Sequence, residues 1–380
     1  MIIKKFLVNL FNFLILFCFL PVCTALENKQ NIFFNFENLQ LKAKVLLTNL
    51  NHPWSVAFLP DNNILITERP GKLKLIDKDF KVRNILGLPP IKARGQGGLF
   101  DIVLHPNFNK NKYIYFSYNG IEDRLWGTEL ARAKIKNYKL QNLEILFKLT
   151  PKTRSNRHFG GRILFDNNNY IFLTTGDRGN RKRAQDLNDH AGKVIRIFDN
   201  GRVPLSNPFF NHVNSKKEIY SYGHRNIQGA VYNPIDNSIW THEHGPQGGD
   251  ELNLIFKGGN FGWPIITYGV NYITRTKIGE GTQKLGMEQP IHKWVPSIAT
   301  SGMTFITGNH FSEWKNNLLV GSLKNNALVM LELKSRKVIK EKIIFKNLFG
   351  RIRDVKIGPD GLIYLLTDEN PGKLVQISKN

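Results

Sequence analysis

His158, in the segment NRHFGGR, and Asp177, in TTGDRG, are the pair best suited by type and spacing to move a proton. An imidazole titrates near neutral pH and serves as a general base once a partner fixes its tautomer. The two residues bracket one hairpin, so the returning strand is expected to bring the carboxylate back to the ring. A purely structural histidine is the plain alternative. A second set consists of Arg225, Lys324, Arg351 and Arg353. Guanidinium forks grip planar carboxylates in bidentate fashion. Each of these cations alone reads as surface charge, but gathered on one face they suit a small polycarboxylate, which a neutral sugar is not.

The run His242-Glu243-His244-Gly245-Pro246 raises a metal question. Two histidines at i and i+2 on a strand share a face, as a zinc site would need, but no third ligand stands out. Gly245 and Pro246, followed by Asp250 and Glu251, fit a hard-cation site better, because backbone carbonyls and carboxylates suit Ca²⁺. A simple turn is the alternative.

These residues need a rigid scaffold, and one pattern supplies it. Alternating apolar residues, a turn carrying Pro, Asp or Asn, and a dense β run recur at 54–68, 100–118, 161–177, 228–245, 303–323 and 353–369. Period-two alternation with turn chemistry between the runs predicts antiparallel hairpins. Copies at irregular spacings of roughly 45 to 75 residues predict an all-β fold, a six-bladed β-propeller of four-stranded antiparallel blades. The fifth copy is degenerate. Residues 39–47 alternate ahead of the first copy and are expected to close the ring as the outer strand of the last blade. The polar clusters fall at equivalent places in the copies: Gln96, His158, Asp177, Arg225 with Asn226, Gly245 with Pro246, Lys324, and Arg351 with Arg353. That recurrence argues for one convergent site at one end of the ring.

The chain of 380 residues, 41% hydrophobic and 11% aromatic, can bury a large core. Lys4 and Lys5, the apolar run from Phe6 to Leu20 and the segment ending at Ala25 read as a secretory signal over residues 1–25. Periplasmic or secreted localisation follows as an expectation. A retained anchor and lipidation at Cys23 are the lesser readings; the run is short of the ~20 residues that span a bilayer. Residues 26–38 are polar with scattered Phe and are expected to be a tether, leaving 39–380 as a single propeller domain. Both cysteines lie in the signal, so the mature chain is expected to carry no disulfide. The net charge of +23 is dispersed, without a basic block or nucleic-acid motif, and reads as a solvated basic surface.

The motifs GQGGL (95–99), HFGGR (158–162), GDRGN (176–180), YGHRN (222–226), HEHGPQGGDELN (242–253), NFGWP (260–264), SGM (301–303), SLK (322–324) and RIRDV (351–355) resemble, in order, those of the soluble quinoprotein glucose/sorbosone dehydrogenase family. The resemblance is strongest to its PQQ-dependent aldose sugar dehydrogenase branch. It implies pyrroloquinoline quinone (PQQ) and Ca²⁺ on the propeller axis, an aldose substrate oxidised at C1 to a lactone, and an external electron acceptor. It further implies that His158 takes the C1 hydroxyl proton, that Asp177 orients it, and that Arg225 lies at the reacting centre. Gln96, Asn226, Lys324, Arg351 and Arg353 would contact the cofactor, the carbonyls of Gly245 and Pro246 would bind the catalytic Ca²⁺, and Glu251 a second, structural one. Two departures stand out. Arg157 replaces the acid that precedes the catalytic histidine in glucose dehydrogenases proper, and Trp294 is offset by one from the aromatic that covers the cofactor there. A Ca²⁺-dependent lactonase propeller and a non-catalytic binding propeller remain as alternatives.

Overall fold

A computed structural model describes residues 31–380, and the expected signal, with both cysteines, lies outside the described residues. Alternation of apolar and polar residues builds six antiparallel sheets arranged as blades around an axis. Blades 1 to 5 have four strands each and begin on the axis with Pro53–Phe58, Leu99–Leu104, Gly160–Phe165, Ile227–Tyr232 and Thr300–Phe305. Blade 6 begins with Ile352–Ile357. Each of these innermost strands packs on the next, and the last returns to the first, closing the ring. Every sequence copy proves to be the inner hairpin of one blade, which is why the copies reported the blade number. The degenerate fifth copy still builds a full blade, with strands Leu318–Ser322, Ala327–Lys334 and Lys337–Lys346 outside its first.

The N-terminal alternation closes the ring as expected: Leu39–Leu50 runs antiparallel to the C-terminal strand Gly372–Lys379, with Leu41 opposite Lys379 and Val45 opposite Val375. The tether expected over 26–38 is corrected in part. Asn31–Phe36 is a strand that pairs with Leu39–Lys44 and makes blade 6 five-stranded. The strand has a period of two: Ile32, Phe34 and Phe36 are half-buried while Asn31, Phe33 and Asn35 face outward. Phe34 packs edge-on against Phe345, and Phe36 against Trp314. Each such pair is worth about 0.5–1.5 kcal/mol beyond its buried area. Deleting residues 26–36 is therefore expected to lower stability by about 2 kcal/mol without opening the ring, because Leu39–Leu50 still pairs with the C-terminal strand. Urea unfolding checks this; a loss as large as collapse of the fold would mean that the extra strand itself closes the propeller.

Between neighbouring blades the sheets bury continuous apolar layers, such as Trp240, Leu252, Phe305 and Leu331 between blades 4 and 5. At the axis the filling is polar. Arg162 on the innermost strand of blade 3 is buried between Asp354 of blade 6, at 2.8 Å, and Asp101 of blade 2, at 3.5 Å. Among the described residues, no helix is long and apolar enough to cross a membrane.

Candidate active site

The loops that carry the expected residues meet at one end of the ring. His158 precedes the innermost strand of blade 3, and Asp177 follows that blade's second strand, Tyr170–Thr175. Antiparallel pairing sets Gly160 opposite Thr175 and brings the two expected residues together. Nδ1 of His158 lies 2.6 Å from Oδ1 of Asp177. The same carboxylate accepts the Gly179 amide at Oδ1, 2.7 Å, and the Trp263 indole N–H at Oδ2, 2.8 Å. His158 holds a left-handed backbone, φ +50°, and its amide donates to Oε1 of Gln96 at 2.7 Å. Gly176 lies directly beneath: a Cβ there would come within 2.4 Å of the His158 carbonyl oxygen. Only glycine lets the two strand ends approach so closely.

Burial holds the His158 imidazole below its ordinary pKa, and Arg225 and Arg178 add to this against the opposing pull of Asp177. Burial pushes the Asp177 carboxyl up, but the hydrogen bond and charge of His158, with Arg225, carry it below the usual carboxylate range. An ionised carboxylate only accepts, so Nδ1 carries the hydrogen and Nε2 is the basic nitrogen.

Two cavities adjoin at Gln96. The axial one, about 270 Å³, is walled by Trp54, Phe159, Asn226, Arg69, Arg351 and Arg353. Arg353 donates to Oδ2 of Asp368, and its buried Nε has no partner among the described residues. Burial pushes the Asp368 carboxyl up, yet Arg353 and then Arg69 hold it well below the usual range. Three guanidiniums against one carboxylate leave a cationic chamber. The second cavity, about 310 Å³, is walled by His158, Asp177, Arg157, Arg181, Tyr272 and Ile278. The long loop after blade 4's third strand, of unknown shape in the sequence, supplies Asn271, Tyr272 and Ile278 to that wall.

Of the expected site residues, Gln96, His158, Asp177, Arg225, Asn226, Arg351, Arg353 and Pro246 line one or both cavities. Lys324 is exposed beside the axial cavity, which its neighbour Leu323 lines. Pro246 and Glu251 do not converge. Pro246 faces the His158 cavity, whereas Glu251 lines a separate small chamber with Glu243 and Gly245. Burial and the neighbouring Glu243 push the Glu251 carboxyl up to about 8, a strain that a cation there would relieve. The Gly245 carbonyl already accepts Nη1 of Arg225, at 2.6 Å, so it serves a cation only when that guanidinium turns away. The zinc alternative finds no support in the geometry: His242 is wholly buried, and His244 Nε2 donates to the Thr300 carbonyl at 2.6 Å. Among the described residues, no group of three or more His, Cys, Asp or Glu is placed to hold a metal. Sequence reasoning missed Arg69, Asp368, Arg181 and the anchoring role of Trp263. Trp294, offset by one from the covering aromatic of glucose dehydrogenases proper, donates its indole N–H to Glu341 at 2.9 Å.

The fold and the site together define a β-propeller with a His–Asp pair beside a cationic chamber at one end of its axis. The comparisons place it more narrowly. A profile of the glucose/sorbosone dehydrogenase family matches residues 50–376, and the chain belongs to that family of oxidoreductases. It is similar to the aldose sugar dehydrogenase of Escherichia coli K12, 40% identical over 345 residues that cover 89% of this chain and 93% of the relative. The crystal structure of the soluble aldose sugar dehydrogenase from Escherichia coli in the apo-form superposes with a TM-score of 0.85 at 38% identity, covering 90% of this chain and all of that one. The PQQ-bound form of an aldose sugar dehydrogenase from Streptomyces coelicolor shares the fold, with a TM-score of 0.73 at 24% identity over 90% of this chain and 98% of that one.

Proposed function

We propose that this chain is an exported, PQQ- and Ca²⁺-dependent dehydrogenase that oxidises aldoses at C1 to lactones and passes electrons to an external acceptor. The observation that carries the reading is the partly buried His158–Asp177 pair beside a cationic chamber in which Arg353 Nε has no partner among the described residues. Such a donor set fits a planar polycarboxylate, because bidentate guanidinium contacts satisfy both partners. PQQ of the Streptomyces relative is such a molecule. Arg69, Arg351 and Arg353 would bind its carboxylates, with Lys324 available from the rim, while Gln96 and Asn226 would border the reacting edge. The carbonyls of Gly245 and Pro246 are offered to the catalytic Ca²⁺ and Glu251 to a structural one. When bound, the quinone supplies a hydride acceptor and the cation a Lewis acid.

The chain's own residues do the rest. Nε2 of His158 takes the proton of the C1 hydroxyl. Asp177 stays ionised, holds the ring in the productive tautomer and stabilises the imidazolium that forms. Trp263 and the Gly179 amide fix Asp177 in turn. Export belongs to the same proposal, with residues 1–25 as the signal.

The test is dye reduction by purified apoprotein with a panel of aldoses, with and without PQQ and Ca²⁺. Turnover that needs both additions is the expected result. Failure of an absorbance titration to show PQQ binding would overturn the reading in favour of a non-catalytic or hydrolytic propeller.

A further inference from the structure

The charges of the His158 cavity do not match a neutral sugar. Its wall carries the guanidiniums of Arg157, Arg181 and Arg225, and the carboxylate it also carries, Asp177, is already satisfied at both oxygens. Arg225 is committed to the carbonyls of His244 and Gly245, at 2.9 and 2.6 Å. The other two are not committed in this way. Arg157 lies alongside the Asp177–Gly179 turn, close enough that a Cβ on Gly179 would touch its Cβ and Cδ at 3.9 Å. Its guanidinium has no hydrogen-bond or ion-pair partner among the described residues. Arg181 is held in place by one donor, with Nη2 3.2 Å from Oδ1 of Asn271, and lies 5.7 Å from the Trp263 ring centroid. Its remaining donors are available.

These two arginines are not part of the cofactor chamber, whose wall carries its own set of Arg69, Arg351 and Arg353. The molecule therefore has two cationic centres on either side of Gln96. An aldose hydroxyl is matched well by amides, whereas planar forks of fixed charge match a carboxylate or a phosphate. Electrostatic focusing in a cleft also raises the local concentration of an anion. Resting on the dehydrogenase reading, we propose that the preferred substrate is an anionic aldose, bearing a carboxylate or phosphate remote from C1, and that Arg157 and Arg181 select it. C1 would lie at His158 and the anion at Arg157 and Arg181 in the same cavity.

The experiment compares glucuronate and glucose 6-phosphate with glucose at low ionic strength, by kcat/KM in the PQQ- and Ca²⁺-loaded enzyme and by calorimetric binding to the protein without quinone. At least one anionic sugar is expected to exceed glucose by about tenfold or more, since a charged hydrogen bond is worth on the order of tenfold. The ratio is expected to fall toward one in Arg157→Gln/Arg181→Gln, in both readouts. The better of the two anions tells whether carboxylate or phosphate is the recognised group. Anionic sugars no better than glucose would overturn the proposal, as would a preference that survives the double variant. If no sugar is turned over, the dehydrogenase reading has failed; the calorimetric preference and its loss in the double variant then still decide whether the anion site exists.

Discussion

Replacing His158 by alanine is expected to leave quinone binding intact and to cut kcat by about 10²- to 10⁴-fold, the usual contribution of a positioned general base. The separation of the two effects follows from the geometry. His158 lines the cavity proposed for the sugar, whereas the cationic chamber is walled by Arg69, Arg351 and Arg353 on other blades. Its amide, which Gln96 uses, is retained in the alanine variant, so the shared wall stays in place. The wild-type pH profile gives a second check. Burial, with Arg225 and Arg178 beside it, lowers the imidazole pKa from its ordinary 6.5. A base works unprotonated, so kcat/KM is expected to be flat through neutral pH and to fall only as pH drops through that lowered pKa, on the acid side of 6.5. In the alanine variant this acid limb should vanish along with most of the turnover. A variant that binds quinone and turns over normally would remove His158 from the base role; an acid limb above neutrality would mean that the groups around the ring stabilise its charged form instead.

What the sequence disclosed, and what it withheld, follow from the physics of the repeat. An inner hairpin is buried on both sides, so its alternation is strong in every copy, and six blades could be counted. The edge strand Asn31–Phe36 is half-solvated, and Asn at two of its three outward positions, with an exposed Phe33 at the third, disguised it as a tether. His158, Asp177, Gln96, Arg225, Asn226 and Arg353 were found because equivalent strand ends of a ring converge. Asp368 follows the second strand of blade 6 just as Asp177 follows that of blade 3, so the same repeat comparison held its signal. What it lacked was a way to rank the acids at such ends. Glu68 spends its charge on Lys74, 2.8 Å away, and Glu243 on His224, whereas Asp368 turns to the axis and Arg353. Glu68 and Lys74 share blade 1, and Asp368 and Arg353 share blade 6, so those choices turn on side-chain directions within a blade, which the repeat pattern does not carry. By residue type and spacing alone Pro246 and Glu251 looked like one cation site because they are close along the chain, whereas the family resemblance gave Glu251 to a second one. The tight turn between them, in which a Cβ on Gly245 would overlap the Gly249 carbonyl at 2.1 Å, sends them to different cavities.

Replacing Arg162 by methionine is expected to cost about 3–5 kcal/mol of stability, the penalty for leaving a buried ion partner uncompensated. Arg162 is only 2% exposed and ties the blades together across the axis. Its Nη1 pairs with Asp354 at 2.8 Å and, more weakly, with Asp101 at 3.5 Å; Nε donates to the Gln228 carbonyl at 2.7 Å and Nη2 to the Arg353 carbonyl at 3.3 Å. The guanidinium also covers the Trp54 ring, 4.1 Å from its centroid. One side chain from blade 3 thus reaches residues of blades 1, 2, 4 and 6. Asp101 keeps partners of its own, Ser55 Oγ at 2.6 Å and the Ile163 amide at 2.9 Å, so the greater part of the loss should come from Asp354. Its other oxygen retains only the Val56 amide, at 3.2 Å. Arg162→Met combined with Asp354→Asn is therefore expected to recover a sizeable part of the penalty, since the unpaired charge goes with the partner. Urea unfolding of the wild type and both variants measures the difference. A loss below about 1 kcal/mol in the single variant, within the range of an ordinary exposed pair, would show that the axis is held by its backbone hydrogen bonds and apolar layers alone. Because Arg162 also fixes the Arg353 carbonyl, the single variant should loosen the axial chamber, and, on the proposed function, weaker quinone binding should accompany the lost stability.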